Sequence, residues 1–447
     1  MTTDPRMINA FVEGAAPLGA REAEMVARRG RLLGPAYRLF YDRPLHVVRG
    51  EGVWLYDAEG QAYLDAYNNV ASLGHAHPRV VEAIARQAAT LSTHTRYLQE
   101  PVLDCAEALL ATLPPEIGHV MFTCTGSEAN DLAVRIARSV TGGTGIIVTE
   151  TAYHGVTQAV AEFSPSLGSG VPLGPHVRTV PAPDRWRSPS GDVAAEFTAA
   201  VEGAIRDLQR HGIRPAVFIC DAIFASDGIF ADPRGLLKGA VEAIRAAGGV
   251  YIADEVQSGF GRTGDALWGF ERHGVLPDIV TMGKPMGNGY PVAAVAVRPE
   301  VIERFGREGR YFNTFGGNAV AAQAALAVLG TIEAEGLVAN ARAVGAHLRA
   351  GIEGLAARHA CIGEVRGAGL FIGVDIVESR DPERPDARRA AALVNGLREA
   401  GVLISACGKA ANVLKIRPPL ILTREDADLL VERLDAVLDG QAGQAAH

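Results

Sequence analysis

The sequence predicts an α/β fold: a mainly parallel sheet covered by helices on both faces, followed by a smaller α+β layer. Three observations lead there. Through the middle of the chain, short apolar runs alternate with helically spaced stretches. Such runs are too uniformly apolar for a sheet with one wet face, so both faces are covered. After about residue 320 the pattern changes to long alanine-rich helices followed by short strands.

Length and composition set the frame. At 447 residues the chain exceeds what one hydrophobic core normally serves, so two domains or one elaborated domain are expected. Hydrophobic residues make up 48% and charged residues 21%, which is ordinary for a folded protein and wrong for a disordered one. The net charge of -8, with no long run of like charge, argues against a nucleic-acid surface. The five cysteines include no CxxC pair, which speaks against a zinc site or disulfide framework and for reduced thiols in a cytoplasm. The N-terminus lacks a basic segment followed by an apolar stretch, so no secretory signal is expected. No run of about 18 apolar residues is present, so no membrane span is expected.

Residues 1–45 read as helical in patches, with Arg28, Arg29 and Arg31 clustered. Val47–Asp65 alternates apolar and polar residues around a turn at Asp57–Gly60, the pattern of a β-hairpin. Pro78–Leu91 and Pro101–Leu113 have helical spacing, the second stopped by Pro114-Pro115. Strands are predicted at Val120–Thr123, Gly145–Thr149, Val217–Cys220, Gly249–Ala253 and Ile279–Met282, with helices at Ser127–Val140 and Gly235–Ala247. The last part reads as helices Ala319–Ala334 and Leu337–Arg358, a strand at Leu370–Ile376 and a helix at Ala387–Ala400. Strands at Val402–Ser405 and Asn412–Ile416 and a helix at Arg424–Leu438 complete it. The division expected is an N-terminal segment (1–74) packing with the small domain, a large domain (75–320) and a small C-terminal domain (321–447).

Four features fall where a parallel sheet holds its ligands, at the carboxyl ends of strands. Thr123–Asn130 runs from strand to helix; Gly126 permits close approach, and Ser127 opens a helix whose free N–H groups favour a phosphate. Tyr153-His154-Gly155 follows the strand ending at Thr149 and offers a ring that can stack on a flat cofactor. Asp254 closes an apolar strand, where a desolvated carboxylate wants a cationic partner such as a protonated pyridine nitrogen. Lys284, flanked by Gly283 and Pro285 just past another strand, is placed for the desolvation a Schiff-base lysine requires. Each has a plain structural counterpart: a capped helix start, a half-buried aromatic, a salt-bridged aspartate, a solvated lysine. Together they make a phosphate loop, an aromatic platform, an acid for a ring nitrogen and an amine, the set that pyridoxal 5′-phosphate needs.

At this point the chain resembles the class III (subgroup II) aminotransferases of the fold-type I pyridoxal-phosphate enzymes, from about Gly34 to Leu438. The resemblance is carried by Ile252–Gly264, Pro277–Lys284, Gly126–Asn130 and Asn313–Asn318. It implies a large domain built on a mainly parallel seven-stranded sheet and a small α+β C-terminal domain. It implies that Lys284 holds the cofactor as a Schiff base and moves the proton, and that Asp254 pairs with the ring nitrogen. By the same resemblance Gln257 sits near the 3-hydroxyl, Tyr153 and Val256 flank the ring, and Gly126 and Ser127 bind the phosphate. His154 joins the cofactor set, and Thr314 reaches the phosphate of a neighbouring subunit's cofactor. The active unit implied is a homodimer or a tetramer with sites at the interface.

Three departures bear on the substrate. Family members that use glutamate carry an arginine in a Leu-Arg-Ile-x-Pro-Pro stretch; here Lys415 takes that place and Arg417 stands two positions on. A lysine is a point charge without a guanidinium's fork, so the exchange is not neutral. Where the family often has Glu-Pro and then a switching glutamate, this chain has Asp221 and Ser226. The segments Arg38–Tyr41, Asn68–Pro78 and Ser92–Leu98 are similar to the family's phospho-lyase branch, which acts on ethanolamine phosphate or phosphorylated hydroxylysine. Lys415, Arg417 and Arg96 are candidate phosphate cations and Asn69 a further substrate contact, whereas His75 and His77 read as structural. Transamination of an amine or amino acid with a keto acid or aldehyde is the family's default and is placed first. Elimination of phosphate from an amino-alkyl phosphate follows closely. A catalytically silent binding protein is disfavoured by the Lys284–Asp254 pair.

Overall fold

The computed structural model describes residues 9–67 and 70–445. Helix α1 (Ala20–Leu33) leads into strands β1 (Val47–Glu51), β2 (Trp54–Asp57) and β3 (Ala62–Asp65), then helices α2 (Pro78–Ala88) and α3 (Glu100–Ala111). The central region runs β4 (His119–Thr123), α4 (Gly126–Thr141), β5 (Gly145–Thr149), α5 (Gln158–Ala161), β6 (Val177–Val180), α6 (Val193–Arg210) and β7 (Pro215–Cys220). It continues with α7 (Lys238–Ala246), β8 (Val250–Asp254), β9 (Ile279–Met282), β10 (Ala293–Val297) and α8 (Pro299–Glu308). The final region holds α9 (Ala319–Ala334), α10 (Leu337–Ala356), β11 (Ile362–Ala368), β12 (Phe371–Ile376) and α11 (Ala387–Glu399). It ends with β13 (Val402–Leu403), β14 (Ser405–Cys407), β15 (Val413–Ile416) and α12 (Arg424–Ala445).

The central sheet has seven strands in the order β4-β10-β9-β8-β7-β5-β6. The pairs from β9 through β6 are parallel, and β10 runs antiparallel to both β9 and β4. Alternation along the strands explains the two helical layers. Ile147, Phe218, Tyr251 and Val280 pack with Phe197 of α6 and Val241 of α7. Ile146, Val148, Val217, Ile219 and Ile252, one residue out of step, pack with Leu132 and Ile136 of α4. Each fully buried side chain of this size contributes about 1.5–3 kcal/mol, so the sheet is a rigid platform. Because β5, β7, β8 and β9 are parallel, Thr149, Cys220, Asp254 and Met282 end on the same edge.

Two four-stranded sheets flank this platform, ordered β1-β2-β3-β13 and β11-β12-β15-β14. The hairpin expected over Val47–Asp65 is a three-stranded meander, because a second reversal falls at Gly52–Val53 and β3 returns beside β2. The single strand expected at Val402–Ser405 is two. Val402 and Leu403 pair with Leu64 and Asp65, while Ser405–Cys407 pairs with β15 in the other sheet. Ile404 sits at the break and gives its carbonyl to the Tyr41 hydroxyl at 3.0 Å. Among the described residues no single helix is long and apolar enough to cross a membrane.

Candidate active site

A cavity of about 330 Å³ opens at the carboxyl edge of the central sheet. Lining it are Gly126 and Ser127 from the start of α4, Tyr153 and His154 after β5, Asp254 at the end of β8, Val256 and Gln257 just beyond, and Lys284 after β9. Eight residues proposed from sequence for the cofactor thus meet around one space.

The phosphate end is built by backbone. Thr125 caps α4 by accepting from the Glu128 N–H at 3.1 Å, and the Glu128 carboxylate returns to the N–H groups of Cys124 (2.7 Å) and Thr125 (3.1 Å). The N–H groups of Gly126 and Ser127, in the first turn, have no intrahelical acceptor and face an anion-favouring dipole end. The approach is closed to larger residues. A Cβ on Gly126 would stand 2.9 Å from Val256 Cγ2, and one on Gly155, at φ +141°, 2.5 Å from Ser127 Oγ.

The ring-nitrogen end is built by side chains. Asp254 is buried, yet its carboxylate is held from three sides. His154 Nδ1 lies 2.7 Å from Oδ2, Asn130 Nδ2 donates to Oδ2 at 2.9 Å, and the Val256 N–H donates to Oδ1 at 3.1 Å. Asn130 also donates to the His154 carbonyl at 2.7 Å and accepts from Thr281 Oγ1 at 2.7 Å, tying α4, β8 and β9 together. Its role was not read from sequence. The available signal was a polar residue beside Ala129, Leu132 and Ala133 on the apolar face of α4.

Lys284 follows Gly283 with φ +25°, a strained backbone that the packed strand end enforces. Burial, reinforced by the nearby Arg417 charge, lowers its amine to about 8. Its Nζ lies 5.8 Å from the centre of the Tyr153 ring. A buried amine about half neutral near pH 8 can add to an aldehyde carbon. A buried carboxylate, a stacking ring, a helix start closed to any Cβ and that amine fit pyridoxal phosphate at every end.

Beyond Tyr153 lies a second space of about 220 Å³, lined by Tyr67, Ser226, Cys407, Lys415 and Arg417. Lys415 Nζ donates to the Ala225 carbonyl at 2.7 Å and lies 5.4 Å from the Phe371 ring centre. Arg417 donates through Nε to the Tyr67 carbonyl at 2.7 Å and through Nη1 to Gln257 Oε1 at 2.6 Å. Burial and the Arg417 charge lower Lys415 to about 7. Among the described residues, no carboxylate forms an ion pair with either cation.

Other proposed residues stand elsewhere. Arg96 is exposed with its guanidinium 3.9 Å from the Phe312 ring centre, and Thr314 is exposed; neither lines the cavity of its own chain. Asn69 lies outside the described residues. His75 pairs with Asp65 at 2.7 Å and His77 with Glu335 at 3.7 Å, as the structural reading expects.

Comparisons agree with this geometry. Residues 40–438 match the model of the family described as aminotransferase class-III. A Drosophila melanogaster protein named alanine–glyoxylate aminotransferase 2-like is 41% identical, over 91% of this chain and 85% of its own. A Caenorhabditis elegans protein named ethanolamine-phosphate phospho-lyase homolog 1 is 39% identical, over 93% of each chain. The solved structure of a phospholyase from Arthrobacter in complex with phosphoethanolamine superposes with TM-score 0.90 at 45% identity, covering 93% of this chain and 99% of that one. The chain belongs to the class III aminotransferases, pyridoxal-phosphate enzymes of fold type I.

Proposed function

We propose that this enzyme is a phospho-lyase that eliminates phosphate from ethanolamine phosphate or a related amino-alkyl phosphate. The observation that carries the reading is the pair of buried cations, Lys415 and Arg417, neither of which has a carboxylate in direct contact among the described residues; Asp221 and Asp65 act on them only from a distance. Two adjacent buried positive charges are costly unless an anion joins them. A phosphate dianion balances both, whereas the single carboxylate of an amino acid balances one. The sequence alone puts transamination first; the pair without a direct counter-ion reverses that order. Ser226 points the same way. A transaminase that alternates substrates commonly masks its carboxylate-binding arginine with a glutamate, and this chain has neither residue at the matching positions.

Bound pyridoxal phosphate supplies an electron sink for the pair released when the substrate's C–H bond breaks. Asp254, as an anion, would favour the protonated form of a ring nitrogen placed against it, and Lys284 Nζ would take the proton from the carbon bearing the amine. Lys415 and Arg417 hold the phosphate while its bond to the neighbouring carbon breaks and it leaves with the electron pair. For ethanolamine phosphate the net change, with water, is to an aldehyde, ammonia and phosphate, which balances without an amino acceptor.

Transamination is the second reading, favoured by the shared Lys284–Asp254 machinery and by the name of the Drosophila relative. Incubating the holoenzyme with ethanolamine phosphate and no keto acid separates the two. Phosphate release supports the lyase; conversion of the cofactor to pyridoxamine phosphate without phosphate release overturns it. We infer that the active unit is at least a homodimer, since Thr314, which the resemblance assigns to a neighbouring subunit's cofactor, is exposed and does not line the cavity of its own chain. The unbridged cysteines suit a reducing compartment, which we take to be the cytoplasm.

A further inference from the structure

We infer that Asp221 is the positioning residue for the anion site: its carboxylate folds the loop after β7 so that the Ala225 carbonyl, not a carboxylate, receives Lys415. This inference rests on the phospho-lyase reading and names how that site is held open for a dianion.

The geometry is local and fully paired. Asp221 Oδ1 accepts from the Ile223 N–H at 3.0 Å, and both of its oxygens accept from the Ala225 N–H at 3.0 Å. Phe224, between them, takes φ +50°, a conformation that L side chains adopt only when held. The turn is thus wound around one carboxylate. Its product is the direction of the Ala225 carbonyl, which accepts Lys415 Nζ at 2.7 Å. A carbonyl orients the ammonium without neutralising it, and among the described residues Lys415 has no second acceptor. Its other N–H groups remain for a substrate oxygen in the space shared with Arg417.

Asp221 also acts through its field. Lys415 is faced by Arg417, Cys407, Asp221 and Lys284; burial keeps the Cys407 thiol neutral, so Asp221 is the group among them that favours its charged form. Asp221 in turn faces Asp254 and Asp227, and burial raises its own carboxyl to about 6. At neutral pH it is therefore mostly ionised and supports the charge on Lys415. Replacing it moves the proton equilibrium of a lysine it does not touch, which a filler of the loop would not do.

The test is a double-mutant cycle on the holoenzyme with Asp221→Asn, Lys415→Met and both. Two readouts are taken: phosphate release from ethanolamine phosphate, and binding of inorganic phosphate followed by the cofactor's absorbance, each from pH 6 to 9. For Asp221→Asn the KM and the phosphate Kd are expected to rise about tenfold, more than kcat falls. The alkaline limb of both profiles shifts to lower pH. In the double variant, Asp221→Asn adds little to Lys415→Met. Additive losses, or an unmoved limb, overturn the inference. Should Asp221→Asn fail to fold, Asp221→Glu, which keeps the charge but displaces both acceptors, is expected to raise KM similarly without moving the limb; an unchanged KM overturns the inference. A wild type that binds phosphate with this coupling but releases none from ethanolamine phosphate defeats the lyase reading and leaves the inference standing. A wild type that does not bind phosphate defeats the inference.

Discussion

The Asp254 carboxylate and His154 Nδ1 lie 2.7 Å apart, and Asn130 closes on the same oxygen from 2.9 Å. Oδ2 thereby takes two partners while Oδ1 takes the Val256 N–H, and the residue lines the cavity where a protonated ring nitrogen would meet its charge. His154 Nε2 is buried without a hydrogen-bond partner, so a proton on Nδ1, directed at Asp254, is the favoured arrangement. Asp254→Asn keeps the shape and removes the charge. It is expected to retain bound cofactor, seen by absorbance, and to lower kcat by about 10²–10³.

The amine of Lys284 sets the rate at which the cofactor-free protein takes up its aldehyde. Burial lowers it to about 8. Below that pH the neutral fraction falls about tenfold per unit. Stopped-flow reconstitution with pyridoxal phosphate should slow accordingly as pH drops from 8 to 6 and level off above 9. Lys284→Ala should still bind the cofactor but gain no covalent mass after borohydride reduction.

Lys415, lowered to about 7, gives KM a pH dependence of defined sign. Above pH 7 the empty enzyme has lost that proton and must regain it to hold a dianion, so KM for ethanolamine phosphate rises, at most about tenfold per unit. Below about pH 6 the substrate's own phosphate is protonated and KM rises again. Steady-state kinetics should therefore show tightest binding between about pH 6 and 7, and Lys415→Met should lose the alkaline limb.

Gly126 and Gly155 are held to glycine by contact. A methyl on Gly126 meets Val256 at 2.9 Å, and one on Gly155 meets Ser127 Oγ at 2.5 Å. Gly126→Ala is expected to cost about 1–3 kcal/mol and to loosen cofactor binding, and Gly155→Ala, at φ +141°, to do so at least as severely. Thermal unfolding with and without cofactor would measure both.

Much of the site was readable from sequence because its parts are short-range. Gly126-Ser127, Asp254 and Lys284 each sit at a strand end, and the order of strands brings them together. Distant pairings were not readable. Asn130 shows its role only when α4 lies across β8 and β9, and Asp221 reads as a substitution until the turn it winds is seen. Strand β6 is four residues with polar positions inside, and β10 is alanine-rich, so neither carries a strong apolar signal. The break at Ile404 has no local marker, because β13 and β14 are both short and carry no turn residue between them, and they differ in which neighbour they find.

That break has a consequence for anyone recombining this enzyme with its relatives. The segment leading to Lys415 is clamped through Val402 and Leu403 to strand β3, and the Tyr67 carbonyl just past β3 steers Arg417. The placement of the two cations proposed for the substrate thus depends on two stretches some 350 residues apart in the chain. A chimera that exchanges the C-terminal third alone would graft foreign cations onto a native clamp, so crossovers must carry both stretches from one parent.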